Sequence, residues 1–146
     1  MAISSKISNS FKVEILTATH NFTASSGNTF NLALYTSDAT INKSTTAYSS
    51  TNEISNTSGS AYSAKGKALT SVTPVLSSDT AVCDFANISW TSASFTANGC
   101  LIFNYTASGD PACCTIAFGG DKTVTSGTFT IEFPAASAGS AIIGIA

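Results

Sequence analysis

The sequence predicts an all-β protein, folded as a single-domain, jelly-roll-like β-sandwich with an extended N-terminal arm. Apolar and polar residues alternate with period two at Phe11–Thr17, Phe30–Thr36 and Thr128–Phe133, which is the pattern of half-buried strands. Short apolar runs are separated by Gly, Pro, Asn and Ser, and no window of helical period competes with them. Eight to ten short strands with such turns are typical of a sandwich.

The most apolar stretch is Gly99–Gly120. Two runs, Cys100–Tyr105 and Cys113–Phe118, flank a polar break that contains Gly and Pro, and this arrangement predicts a β-hairpin. Because both runs are almost continuously apolar, we expect the hairpin to be covered on both faces. Ile102 and Ile116 are the predicted core residues.

Residues 1–10 are polar and irregular, and we expect them to form a flexible arm, followed by a sandwich domain over residues 11–146. Ile3 and Ile7 are the large apolar anchors of this arm. An arm with so few anchors cannot fold alone, so the two isoleucines are predicted to contact a neighbouring subunit.

A weakly patterned segment, Ser37–Lys67, has Tyr48, Ile54 and Tyr62 as its large apolar anchors. A structureless loop of that length is unusual in a compact domain, so we expect short edge strands or packing against a partner. Pro74 places its own strand at an edge or bulge. The remaining predicted strands are Ala68–Leu76, Thr80–Phe85, Ile88–Trp90, Lys122–Thr125 and Ala141–Ile145.

Charge is scarce in this chain of 146 residues. Charged residues make up 10% of it, against roughly 25% in an average soluble domain. The net charge is −2, and the six basic side chains are lysines scattered along the sequence, which argues against nucleic-acid and anionic-membrane binding. The first residues lack the apolar run of a signal peptide, so we expect synthesis in a cytoplasm.

The cysteines Cys83, Cys100, Cys113 and Cys114 form no CxxC pair, and His20 is far from them in sequence. This spacing argues against a zinc site. We interpret the cysteines as buried thiols, with a disulfide as the alternative. In a regular strand Cys113 and Cys114 point to opposite faces, so both cannot join one cluster.

No catalytic motif surrounds the eight acidic residues, and we expect neither enzymatic activity nor a cofactor or metal. A carboxylate pair for glycoside hydrolysis and a dyad of His20 with a cysteine are the minor alternatives. Asp84 and Asp121 lie beside turns and are predicted to accept backbone N–H groups. A sugar-stacking platform is a further alternative for the aromatic residues Trp90, Tyr35, Tyr48, Tyr62 and Tyr105.

Several segments resemble a family of small structural proteins encoded by tailed bacteriophages, and the resemblance covers nearly the whole chain after the first ten residues. These segments are Thr29–Ser55 (TFNLALYTSDATINKSTTAYSSTNEIS), Gly66–Pro74 (GKALTSVTP), Asp84–Trp90 (DFANISW), Leu101–Tyr105 (LIFNY), Phe118–Lys122 (FGGDK) and Gly127–Ala146 (GTFTIEFPAASAGSAIIGIA).

The resemblance implies a capsid decoration, or cement, protein. On that basis we expect a β-rich homotrimer that bridges neighbouring subunits of the major capsid protein and stabilises the capsid. Its location is then the capsid surface of the virion, after synthesis in the host cytoplasm. The alternative is a receptor- or glycan-binding module of a phage fibre or tail.

Overall fold

A computed structural model describes residues 2–55 and 57–146 as two antiparallel sheets with one short helix. The larger sheet has the strand order β1-β7-β6-β2-β3, and the smaller has β4-β5-β8. The all-β sandwich is confirmed, whereas the jelly-roll topology stays a prediction. The elements are β1 (Lys6–Ile7), α1 (Asn9–Leu16), β2 (Phe30–Tyr35), β3 (Lys67–Ala68), β4 (Ser71–Ser77), β5 (Thr80–Phe85), β6 (Ile88–Asn104), β7 (Ala112–Ile131) and β8 (Ile143–Ile145).

The predicted central hairpin is formed by β6 and β7. These strands pair from Ile88↔Ile131 to Phe103↔Ala112, so the hairpin is longer than the two apolar runs alone. Within the two runs, residues 100–104 and 113–115 are buried, whereas Tyr105 at the loop is 49% exposed and Ile116 is half-buried. The hairpin is therefore confirmed, and its fully covered part lies next to its loop.

The larger sheet is covered on both faces at its centre. In β2, Phe30, Leu32 and Leu34 belong to a first core that also contains residues of the smaller sheet. Ala33 and Tyr35, on the opposite face, belong to a second core. This double covering explains why β2 is buried at every position although its sequence partly alternates.

The strand predicted at Phe11–Thr17 is wrong, because the structure has the helix α1 there. Phe11 is buried and Ile15 is half-buried, which is the i, i+4 spacing of one helix face. Val13, which period two placed inside with these residues, is 64% exposed. The apolar residues of this short segment are compatible with the period of a strand and with that of a helix, and the structure has the helix.

The expected N-terminal arm also differs from the structure over its described residues, 2–10. β1 pairs with β7 of the same chain, and Ile3 forms an isolated bridge with Ile41. Ile3 packs against the second core and Ile7 against the first. These anchors are therefore satisfied within the chain itself, while Met1 lies outside the described residues.

The Ser/Thr-rich segment between β2 and β3 is held in place by the three large apolar residues predicted as its anchors. Ile54 and Tyr62 are core residues, and Tyr48 packs half-buried against the second core. Isolated bridges tie the segment to Tyr35 of β2 and to Pro111. The segment is thus held by side chains and single bridges, and no strand lies within its described part.

Candidate functional site

A buried polar cluster joins α1 and the segment after it to the central hairpin. We call Glu14, His20, Asn104 and Cys113 the His20 cluster. The Nε2 atom of His20 lies 2.8 Å from Oε2 of Glu14. Its Nδ1 atom lies 3.1 Å from the Asn104 amide nitrogen and 3.8 Å from the Cys113 sulfur. Sequence analysis considered His20 with a cysteine but missed Glu14 and Asn104.

The hydrogen bonds of the His20 cluster fix the tautomer of the imidazole. The side-chain oxygen of Asn104 accepts hydrogen bonds from the backbone N–H groups of Thr106 and Ala107. The amide nitrogen of Asn104 must therefore face His20, and Nδ1 of the ring accepts from it. The ring proton is then on Nε2, where it is donated to the Glu14 carboxylate.

A cysteine, a histidine and a carboxylate in contact resemble a catalytic triad with a cysteine nucleophile. The thiol, however, is inaccessible to solvent. Cys113 and the His20 side chain are buried, and the ring of Phe11 lies 4.9 Å from that of His20. Burial raises the pKa of the Cys113 thiol well above its usual value, and the negative charge of Glu14 adds to this effect. The thiolate, which is the nucleophile, is therefore disfavoured. The hydrogen bonds of the cluster instead connect α1 to the larger sheet, because they run from Glu14 through His20 to Asn104.

The four cysteines are free thiols, and all of them contact the first core. Cys83 on β5 is half-buried, and the others are buried. Burial raises the pKa of Cys83 to about 11 and that of Cys114 to about 12. These thiols are consequently protonated near neutral pH.

Cys113 and Cys114 do not lie on opposite faces as the regular-strand argument required. Ile102 pairs with Cys114 but Phe103 pairs with Ala112, so Cys113 is an extra residue at a β-bulge. Both cysteines belong to the first core, whereas Ala112 belongs to the second. At the bulge two consecutive residues face the same core, and an analysis that assumes strict alternation of faces cannot predict this.

A second polar cluster is centred on Glu53. Its carboxylate accepts hydrogen bonds from the hydroxyls of Tyr48 and Tyr62, each at 2.6 Å, and from the Lys65 backbone N–H at 2.7 Å. The Tyr62 hydroxyl in turn accepts the backbone N–H of Leu34 at 2.9 Å. Burial and the bonds to Glu53 raise the pKa of both tyrosines. Glu53 therefore anchors the irregular segment to β2.

A partly buried ion pair lies beside the Glu53 cluster. The Lys65 ammonium is 2.6 Å from Oδ2 of Asp110, and it lies over the rings of Tyr48 and Tyr105 at 5.4 and 5.1 Å. Lys65 and Asp110 both have positive φ, at 67° and 49°. This arrangement joins the loop before β3 to the hairpin loop.

The five aromatic residues considered as a sugar platform do not share one surface. Trp90, Tyr35 and Tyr62 are core residues, Tyr48 is half-buried, and Tyr105 is 49% exposed. The ring of Trp90 packs against other aromatic residues of the first core. The structure therefore contradicts a platform made of all five.

The two aspartates assigned to turns behave differently. The Asp84 carboxylate accepts the backbone N–H of Phe85 at 2.8 Å, as predicted. That of Asp121 instead accepts the side-chain amide of Asn98 at 2.8 Å. Over residues 2–55 and 57–146, no group of three or more His, Cys, Asp or Glu residues could hold a metal ion. In the same residues, no helix has both the length and the apolar character to cross a membrane.

Chain separation explains why sequence patterning missed the His20 cluster, since Asn104 is 84 residues from His20. The partners of Glu53 lie within 12 residues of it, but they follow no recognised motif. Comparison of the chain with family models, with curated proteins and with solved structures gave no match.

Proposed function

We propose that this chain is a structural virion protein that decorates and stabilises a tailed-phage capsid by bridging subunits of the major capsid protein. The proposal is supported by the resemblance of the chain to small tailed-phage structural proteins and by its low content of charged residues. A surface with few charges suits a protein that works within an assembly.

The observation that carries the proposal is an apolar row across the smaller sheet. Leu76 of β4, Ala81 of β5 and Ile145 of β8 are neighbours in register, and we call them the β4–β8 row. Leu76 is 73% exposed and Ile145 is 52% exposed, and Ala81 is exposed as well. Adjacent exposed apolar side chains on a protein surface are typical of an interaction site.

The buried chemistry also supports a structural role. The acids and the histidine that the structure gathers are engaged in joining segments of the chain, as Glu14 and Glu53 illustrate. The row itself is small, so each copy binds weakly. In a homotrimer three rows act together, and linked sites raise the overall affinity without new contacts.

The experiment mixes purified protein with undecorated, expanded phage shells at low and high salt and then measures shell stability on heating. We expect binding at both salt concentrations, because apolar contacts are not screened by ions. Leu76→Asp should abolish binding and thermal protection. Leu16→Asp is the matched control, because Leu16 is 86% exposed on α1, an element that carries no residue of the row.

Three outcomes would contradict the proposal: failure to bind shells, loss of binding at high salt, or equal effects of the two substitutions. Binding to tails or fibres in place of shells would favour the receptor- or glycan-binding alternative.

A further inference from the structure

Half of the lysines of the chain line one groove. Lys6, Lys12 and Lys43 surround a groove of about 800 Å³ between β1, the start of α1 and the loop that follows Ile41. Among the described residues that line it there is no Asp or Glu. The whole chain has six lysines and eight acidic residues, so this local excess of positive charge opposes the net charge of −2.

The groove is held together by the backbone. The N–H of Asn9, the first residue of α1, donates to the carbonyl of Lys43 at 2.8 Å. The N–H of Ser4 donates to the carbonyl of Ile41 at 3.1 Å. The three lysines are therefore carried by segments in fixed relation to one another, although 31 residues separate Lys12 from Lys43 in sequence.

The N-terminus of α1 adds to the positive potential of this groove. The first N–H groups of a helix have no carbonyl partner within it, and they favour a nearby anion. Ser8 is the N-cap residue but makes no capping hydrogen bond, and no acidic residue lies in the described first turn. The buried Ser8 hydroxyl does not line the groove, and the Asn9 N–H already donates to the Lys43 carbonyl, so the helix end adds to the potential of the groove through its dipole.

We propose that this groove binds a phosphate group carried by a small molecule or a lipid headgroup. Lysine ammonium groups bind phosphate as compact point charges, and three of them suit the nearly double negative charge of a phosphate monoester better than the single charge of a carboxylate. Asn9, Asn42 and Ser44 also line the groove and supply polar side chains for the remaining oxygens. The inference does not depend on capsid decoration.

The experiment measures binding of inorganic pyrophosphate to the full chain by calorimetry, at constant ionic strength with chloride as the competing anion. We expect saturable binding to the wild type. Lys12→Ala and Lys43→Ala should each raise the dissociation constant about tenfold, the effect of losing one charge-assisted hydrogen bond. Lys122→Ala is the matched control, because this exposed lysine lies at a different, apolar groove.

A second arm tests vesicles that contain phosphatidic acid. Sedimentation of the wild type with these vesicles, but not of Lys12→Ala or Lys43→Ala, would assign the phosphate to a lipid. Pyrophosphate binding without vesicle binding would assign it to a soluble ligand. The inference is overturned if neither probe binds, or if Lys122→Ala weakens binding as much as the groove substitutions do.

Discussion

Asn104 on β6 orients His20 from a distance of 3.1 Å, with its amide nitrogen facing Nδ1 of the ring. The same nitrogen lies 3.0 Å from the side-chain oxygen of Asn28, and the Asn104 oxygen accepts two backbone N–H groups of the hairpin loop. One fully buried side chain thus joins the helix-to-β2 segment, the hairpin loop and the histidine.

We therefore expect Asn104→Ala to lower the free energy of unfolding by about 2–4 kcal/mol, because several buried polar groups lose their partner. Urea unfolding followed by circular dichroism measures the change. Asn98→Ala is the control, since the Asn98 amide makes an exposed bond to Asp121. Equal losses for the two variants would contradict the role given to Asn104.

Burial of the cysteine thiols predicts a loss of stability at alkaline pH. The pKa of Cys114 rises from 9.0 to about 12, so above about pH 9 the folded state keeps a proton that the unfolded chain releases. The unfolded state then binds fewer protons, and the free energy of unfolding falls as pH rises from about 9 toward 12.

Urea unfolding at about pH 8 and about pH 10.5 tests this expectation. Cys114→Ala should reduce the fall in stability between the two. Cys83→Ala should also reduce it, because the pKa of Cys83 rises to about 11 and this thiol likewise stays protonated at about pH 10.5 in the folded state. A fall of the same size in the wild type and in Cys114→Ala would refute the linkage.

The two isoleucines predicted as hairpin core differ in burial, so their truncations should differ in cost. Ile102 is fully buried, and Ile102→Ala should lower the free energy of unfolding by about 2–5 kcal/mol through the cavity it leaves. Ile116 is half-buried, and Ile116→Ala should cost about 1–2 kcal/mol. Chemical denaturation compares them, and a larger cost at Ile116 would mean that the burial is misassigned.

Alanine substitutions at two glycines with positive φ distinguish the cost of backbone strain from the cost of steric overlap. A Cβ on Gly66, at φ 67°, would overlap the Leu32 carbonyl oxygen. A Cβ on Gly59, at φ 85°, would meet nothing within 4 Å. Gly59→Ala should cost about 1–2 kcal/mol, the penalty of the left-handed conformation alone.

Gly66→Ala should cost clearly more, because the loop before β3 must move away from β2. Thermal unfolding of the two variants measures the difference, and soluble yield serves if Gly66→Ala fails to fold. Similar melting temperatures for the two variants would contradict the close approach.

Sequence patterning predicted the strands whose signals are local. The predicted strands Phe30–Thr36 and Thr80–Phe85 correspond to β2 and β5, because a short run rich in apolar residues between turn residues needs no distant information. Pro74 was placed correctly, since β4 is an edge strand whose register shifts between Val72 and Val75. The helix α1 was missed because eight residues are too few to separate the two periods.

The polar clusters could not be predicted in the same way. Glu14, His20 and Asn104 meet only after α1 packs on the hairpin, so their contact depends on the tertiary fold. The bulge at Cys113 adds one residue without a signal in the composition, and as a result the consecutive residues Cys113 and Cys114 contribute to the same core.

Because both faces of β2 are covered, its backbone is protected from solvent during local unfolding. This strand lies between β6 and β3, and its six residues are buried on both faces. Local fluctuations that expose an edge strand such as β4 do not admit solvent here. Amide hydrogens of β2 that pair with β6 therefore exchange with water only through global unfolding, so their exchange rates report the full unfolding free energy of the domain.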